Sequence, residues 1–223
     1  MIKLSYFLII IAASITNSVW SIEHSFKGIV DVRAYYVDNN SDAKSYLAGD
    51  YGKYRYDAGS GFALGQLGIQ YHLSLNNYWS VNVIGNAFAN KGNNNIGFTE
   101  GYIRYNGMPS ANGWRVSSKI GVFYPSISLE NVSTAWSTPY TLTTSSLNNW
   151  IGEELRNTGV SLKIDKLGKM TKSPHTFSAE ISLFQNNDPA GAMLAWHGWT
   201  IGSRQTLLQE KLIVQNFPAR EGM

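Results

Sequence analysis

The chain has 223 residues and no cysteine, which excludes a disulfide scaffold and a thiolate metal centre. Charged residues make up 15% and the formal net charge is only +3; with no clustered Lys/Arg stripe, nucleic acid is not an expected partner. Aromatics at 13% and 21 Gly against 6 Pro suit many strands joined by tight turns.

Residues 1–21 carry one early cation, Lys3, and then an apolar run over 4–13, shorter than the roughly twenty residues of a membrane helix. This is the pattern of a secretory signal peptide, with Ser18 and Ser21 as alternative cleavage points. An uncleaved anchor helix is the alternative, disfavoured by the run's length and by Ser14, Thr16 and Asn17 behind it. No later run reaches membrane-helix length, so residues 22–223, read as one domain, can meet a bilayer only as a barrel.

Period-two alternation recurs along the chain. A first strand over 26–36 sets Phe26, Val30, Val32 and Tyr36 against Lys27, Asp31 and Arg33. A polar stretch follows, and a second strand over 63–74 sets Ala63, Gly65, Leu67, Ile69, Tyr71 and Leu73 against Leu64, Gln66, Gln70 and His72. The third, 79–89, has Trp79, Val81 and Val83 opposite Ser80, Asn82, Asn86 and Phe88; the fourth has Gly97, Thr99, Gly101, Ile103 and Tyr105 opposite Phe98, Glu100, Tyr102 and Arg104. A turn rich in Gly, Pro and Asn leads to the fifth, where Trp114, Val116, Ile120, Val122 and Tyr124 oppose Arg115, Ser117, Lys119 and Phe123.

Residues 125–156 interrupt the pattern with an insertion too long for a turn and too apolar for a linker. Within it Leu147, Trp150, Ile151 and Leu155 recur at helical spacing behind a cap at 144–146. This predicts a short amphipathic helix that packs its apolar stripe and turns Asn148, Glu153 and Arg156 to water or a lumen. A salt-bridge cluster of Glu153, Glu154 and Arg156 that ties the loop down is the alternative. A sixth strand (158–165, Val160, Leu162 and Ile164 against Ser161 and Lys163), the basic turn KLGKMTKS and a seventh strand (176–183, with Glu180 on its polar side) follow. Asp188 and Pro189 then open a further short helix.

The expected fold is all-β: an antiparallel meander of about seven strands forming part of a transmembrane β-barrel. Aromatics support it, with Phe26, Tyr71, Trp79, Tyr105 and Trp114 at the near ends of the apolar face and Tyr36 and Tyr124 at the far ends, as in the girdles of outer-membrane barrels. A water-soluble barrel capped by aromatics is the alternative. Connections are short on the N-terminal side and long on the other, the asymmetry of short periplasmic turns and external loops.

The segments YPSISLENVSTAWSTPYTLTTSSLNNWIGEELRNTG and QNNDPAGAMLAWHGW resemble those of porin-like proteins of Gram-negative outer membranes distantly similar to phosphate-selective porins. The resemblance spans the mature chain. It implies an outer-membrane location, a third external loop at 125–156 that folds inward and narrows a channel, a full barrel of about 16 strands, and a homotrimer of the full-length protein. Seven strands and a tail without a closing aromatic strand mark the chain, on this reading, as the N-terminal part of a longer porin.

The expected pore-lining residues are Lys27, Asp31, Arg33, Glu100, Arg104, Arg115, Lys119, Lys163 and Glu180, with Trp150, Glu153 and Arg156 in the constriction loop. Six cations against three acids predict a weak anion preference. The expected partners are the lipid bilayer and small hydrophilic solutes or anions, and no cofactor or metal is called for. A non-conducting barrel serving as a surface anchor or adhesin is the alternative. An outer-membrane hydrolase is the weaker third reading, because His24, His72, His175 and His197 are isolated and GxSxG, HExxH and P-loop motifs are missing.

Overall fold

The computed structural model describes residues 22–38, 56, 58–90, 93–127, 129–141, 144–145, 147–148, 154–191, 204–208 and 210. The expected signal peptide at 1–21 lies outside them. Every stretch with period-two alternation forms a strand: β1 (Glu23–Val37), β2 (Gly59–Ser74), β3 (Trp79–Asn90), β4 (Asn93–Asn106), β5 (Trp114–Phe123), β6 (Asn157–Lys166) and β7 (Phe177–Asn187). They pair only with sequence neighbours in one antiparallel sheet of order β1-β2-β3-β4-β5-β6-β7. The expected seven-strand meander is therefore observed, with most strands a few residues longer than the alternation alone marks.

At one end the connections are tight. Asn76 closes the β2–β3 turn by accepting at Oδ1 from the amides of Tyr78 and Trp79 (2.8 and 2.9 Å), an Asx arrangement. The β6–β7 connection contains a single 3-10 turn, Gly168–Thr171. Aromatics run across this end from strand to strand. Phe26 packs on Tyr71 at 4.8 Å and Trp79 on Tyr105 at 5.1 Å between ring centroids, and the Lys166 ammonium lies 4.9 Å over Trp114. At the other end the expected far marker Tyr124 is not on the sheet's apolar side at all. It is buried, with its ring against Trp136 at 4.8 Å.

The sheet distributes polarity inside out. Its bare face carries Phe26, Val30, Val32, Tyr36, Phe62, Ile96, Ile120, Ile181 and Leu183, all exposed; Phe62 and Ile96 are 85% and 86% exposed. The other face is covered by the described parts of 124–156 and by residues 204–208 and 210. It buries Asn82, Asn86, Thr99, Glu100, Ser117, Ser161 and Asp165 together with Ile84, Phe88 and Phe123.

Two β-bulges correct the expected facing of individual residues. The β1–β2 register shifts between Asp31 and Val32, so that Asp31 meets Gln66 but Val32 meets Leu64. Gly65 is the extra residue. The phase of β2 flips there: Leu64 and Phe62 join the bare face, and Ala63 and Gly65 turn to the covered one. A Cβ on Gly65 would collide with the Asp31 carboxylate and with Arg33 Nε. In β4 the shift falls at Ile84/Gly85, making Thr99 the extra residue. Phe98, expected on the polar side, stands on the bare face at 60% exposure, and Gly97 and Thr99 lie beneath the cover. A bulge sets two residues against one, and uninterrupted alternation cannot register that change of phase.

Because the chain has no native cysteine, single spin labels can read these phases. A label at Phe98→Cys is expected to be mobile and one at Thr99→Cys strongly immobilised; the reverse order in their paramagnetic resonance spectra would rule out the bulge at Thr99.

Candidate functional site: the covered face

The cover reaches the sheet through groups that only a polar wall can bond. Gln66 donates from Nε2 to Asn86 Oδ1 (2.9 Å) and to the Ala135 carbonyl (3.0 Å), while Gln70 Oε1 accepts from the Ala135 amide at 3.5 Å. Gly68 permits this approach, since a Cβ there would lie 2.5 Å from Ala135 Cβ and 2.8 Å from Asn86 Oδ1. Ala135 and Trp136 both adopt left-handed backbone, φ 54° and 59°. Such conformations cost about 1–2 kcal/mol each for residues other than glycine. The tight reversal fixes the Trp136 ring against Tyr124 and lets its indole N–H donate to Glu154 Oε2 at 2.9 Å. The same carboxylate accepts at Oε1 from Asn131 and Asn148, both at 3.2 Å.

At two described positions of the expected loop helix, Leu147 and Asn148, the burial is the reverse of the expectation. Ser145 does cap its start, accepting at Oγ from the Asn148 amide at 3.2 Å. Leu147, however, is 64% exposed, and Asn148 is buried where its side chain donates to Glu154 Oε1. Trp150 and Glu153 lie outside the described residues.

Arg156, expected to face water or a lumen, is only 3% exposed. Its guanidinium donates to the carbonyls of Thr206 (2.6 Å), Thr99 (3.2 Å) and Leu207 (3.3 Å) and lies 3.7 Å from Asp188 Oδ2. Asp188 also accepts from the Tyr124 hydroxyl (3.3 Å), from the Thr206 hydroxyl and, as the expected N-cap, from the Ala190 amide (3.1 Å). The arginine ties β4, the end of β7 and residues 206–207 to one another. Of the expected Glu153–Glu154–Arg156 cluster, Glu154 and Arg156 are both buried ties but in separate networks, Arg156 pairing with Asp188 and Glu154 accepting from Asn131, Trp136 and Asn148.

Residues 204–208 and 210 form a strap over β3 and β4. Arg204 clamps Glu210 with two donors (2.9 and 2.5 Å), the Leu208 amide donates to the Phe98 carbonyl (2.9 Å), and Asn86 donates to Gln205 Oε1 (3.0 Å). Burial pushes the Glu210 carboxyl upward, but the Arg204 bonds outweigh it and hold its pKa below the ordinary carboxylate value.

All nine residues read as pore-lining stand on the sheet's polar face, Lys27, Arg104 and Glu180 on exposed parts of it. Arg33 pairs with Asp31 at 2.5 Å. Glu100 is buried and accepts from the Tyr124 amide at 3.3 Å. Arg115 pairs with Asp165 at 2.7 Å, and Lys163 reaches the same carboxylate at 3.8 Å. Asp165 was missed by the sequence reading, although its parity with Ser161 and Lys163 marks it. Arg104 stands directly across from Lys119 and Lys163 across from Glu180. Together with Ser117, Ser126 and Ser161 these four line a cavity of about 100 Å³. Lys27 faces the same side opposite Gln70. His72 sits in a row, its Nδ1 2.8 Å from Asn82 Oδ1 and its Nε2 3.1 Å from Ser74 Oγ.

No protein-family model matches the chain, and neither the curated proteins nor the solved structures include one similar to it.

Removing Arg156 would leave the buried Asp188 carboxylate without its cation and strip the guanidinium's hydrogen bonds from three buried carbonyls. Arg156→Met is expected to destabilise the fold by roughly 3–5 kcal/mol, measured by denaturant unfolding in detergent; a loss within the scatter of surface substitutions would contradict the tie.

Proposed function

We propose that the chain forms the wall and inward loop of an outer-membrane porin that passes small hydrophilic solutes with a weak preference for anions. One observation carries this reading: the sheet's apolar side is bare while much of its polar side, Asn82, Asn86, Thr99, Glu100, Ser117, Ser161 and Asp165 included, is buried. Water-soluble sheets bury the opposite side, and soluble monomers rarely expose contiguous apolar patches beyond a few hundred Å². In a bilayer the bare aliphatics meet acyl chains and the aromatic row meets the headgroups.

The anion preference follows from the charges left over once pairs are formed. Arg33 and Arg115 are neutralised by Asp31 and Asp165, but Arg104 directly faces Lys119 across the β4–β5 ladder. Like charges in register repel, and a passing anion relieves the repulsion. The wall must also close. β1 and β7 are edges of the sheet, and unpaired backbone is costly in lipid; on this reading further strands of a longer porin pair with them.

In planar bilayers the porin in which further strands close this wall is expected to give stepwise conductance with a reversal potential displaced toward chloride. Charge reversal at both Arg104 and Lys119 should bring the anion-to-cation permeability ratio below one. Clear cation selectivity of the unaltered protein would sink the anion preference. A heat-modifiable, protease-resistant protein without conductance would favour the surface anchor.

The Ser74–His72–Asn82 row favours one other reading. A hydroxyl at one imidazole nitrogen and an amide oxygen at the other is the order of a nucleophile, a base and its orienting group, so a hydrolase built into the wall is the second proposal. Both ring nitrogens are equally well explained as ladder hydrogen bonds. A fluorophosphonate probe decides: labelling lost in Ser74→Ala supports hydrolysis, and no labelling of the folded protein dismisses it.

A further inference from the structure

Between the cover and the wall lies a cleft of about 180 Å³, bounded by β1, β2, β3, the 124–156 segment and the strap. This is several times the roughly 30 Å³ that one water takes up in the liquid, so the space admits a single small solute. Its lining has a definite chemistry. Trp136 supplies an aromatic face, and Phe88 lines the cleft beneath the Arg204 guanidinium. The amides of Gln66 and Asn131 offer their oxygens and that of Gln205 its nitrogen, and Ser137, Thr138, Thr141 and Thr144 add hydroxyl groups to the lining.

The charged groups of the cleft are already matched. Arg33 holds Asp31 at 2.5 Å and Arg204 holds Glu210 at 2.5 Å, which leaves no unmatched cation in this cleft to recruit an anion. Among the described residues two donors are nevertheless unmet: Arg204 Nε and Gln205 Nε2 are buried without a hydrogen-bond partner there, and both residues line the cleft. Buried donors without acceptors are costly and rare. The second independent sign is the backbone. Two successive left-handed residues, Ala135 and Trp136, hold the indole at the cleft, clamped by Tyr124 and Glu154. Strain of this kind concentrates at binding sites.

We propose that this cleft is a subsite for a neutral polyhydroxylated solute, a monosaccharide or a polyol. The C–H face of the solute stacks on Trp136. Its hydroxyl oxygens accept from Arg204 Nε and Gln205 Nε2 after a small shift of the strap, and its hydroxyl protons go to the amide and threonine oxygens. The proposal deepens the porin reading by naming a solute class. Its test is binding without conduction, so each can fail alone.

Isothermal titration of the full chain in detergent micelles, with D-glucose and xylitol as probes and inorganic phosphate as competitor, reads it directly. Saturable binding of either probe, unaffected by phosphate, is expected. Trp136→Ala should weaken it about tenfold or more, and Trp136→Tyr, which keeps a ring, by no more than about threefold. Gln205→Met, which keeps the shape and removes the donor, should cost about fivefold. Should Trp136→Ala fail to fold, the tyrosine and methionine variants carry the test. No saturable binding, preferential binding of phosphate, or a folded Gln205→Met with unaltered affinity would each overturn the proposal.

Discussion

Arg156 is the point on which the covered face depends. A guanidinium has five donors in a fixed fork and cannot be deprotonated in a protein, so burying it obliges the surroundings to supply acceptors from several directions. Here they come from the bulged Thr99 of β4, from Thr206 and Leu207 of the strap, and from Asp188 just beyond β7. Segments 50 and 57 residues away in sequence are brought together by one side chain. Tyr124 joins them through Asp188 and so fixes the exit of β5 from the sheet.

The inverted polarity makes such ties necessary. An apolar core tolerates approximate packing, because the hydrophobic effect has no direction. A polar interior does not, because each buried donor or acceptor must find a partner with defined geometry. The cover accordingly meets the wall through Gln66, Gln70 and Asn86, and it comes close enough only because position 68 is glycine. The bulges belong to the same economy. Doubling Thr99 with Glu100 opposite Ile84 turns an extra polar group toward the cover, where Thr99 Oγ1 accepts from Asn86 and its carbonyl from Arg156. The two readings of function share this interior, since a lined wall and a lined cleft are both made of its polar groups.

The sequence by itself determined the strands, their order and their side. Alternation with charges on one face and aliphatics on the other fixes a period of two, and short turns rich in Asn and Gly join neighbours in series. It also carried the nine charged residues to one face, because parity holds within any uninterrupted run. Parity fails only where a residue is added, so Phe98, Thr99, Ala63 and Leu64 were misread. The facing of Leu147 and Asn148 was misread for a different reason. Apolar spacing predicted Leu147 packed and Asn148 in water, and it carries no sign of the Glu154 carboxylate that takes Asn148 inward. Only the tertiary structure decided where the bulges fall, that Arg156 and Glu154 are buried ties rather than solvated charges, and that the strap from 204 to 210 closes a cleft over β1–β3. Each of these depends on hydrogen bonds between residues far apart in the chain, and local periodicity carries no information about which distant partner will satisfy a buried polar group.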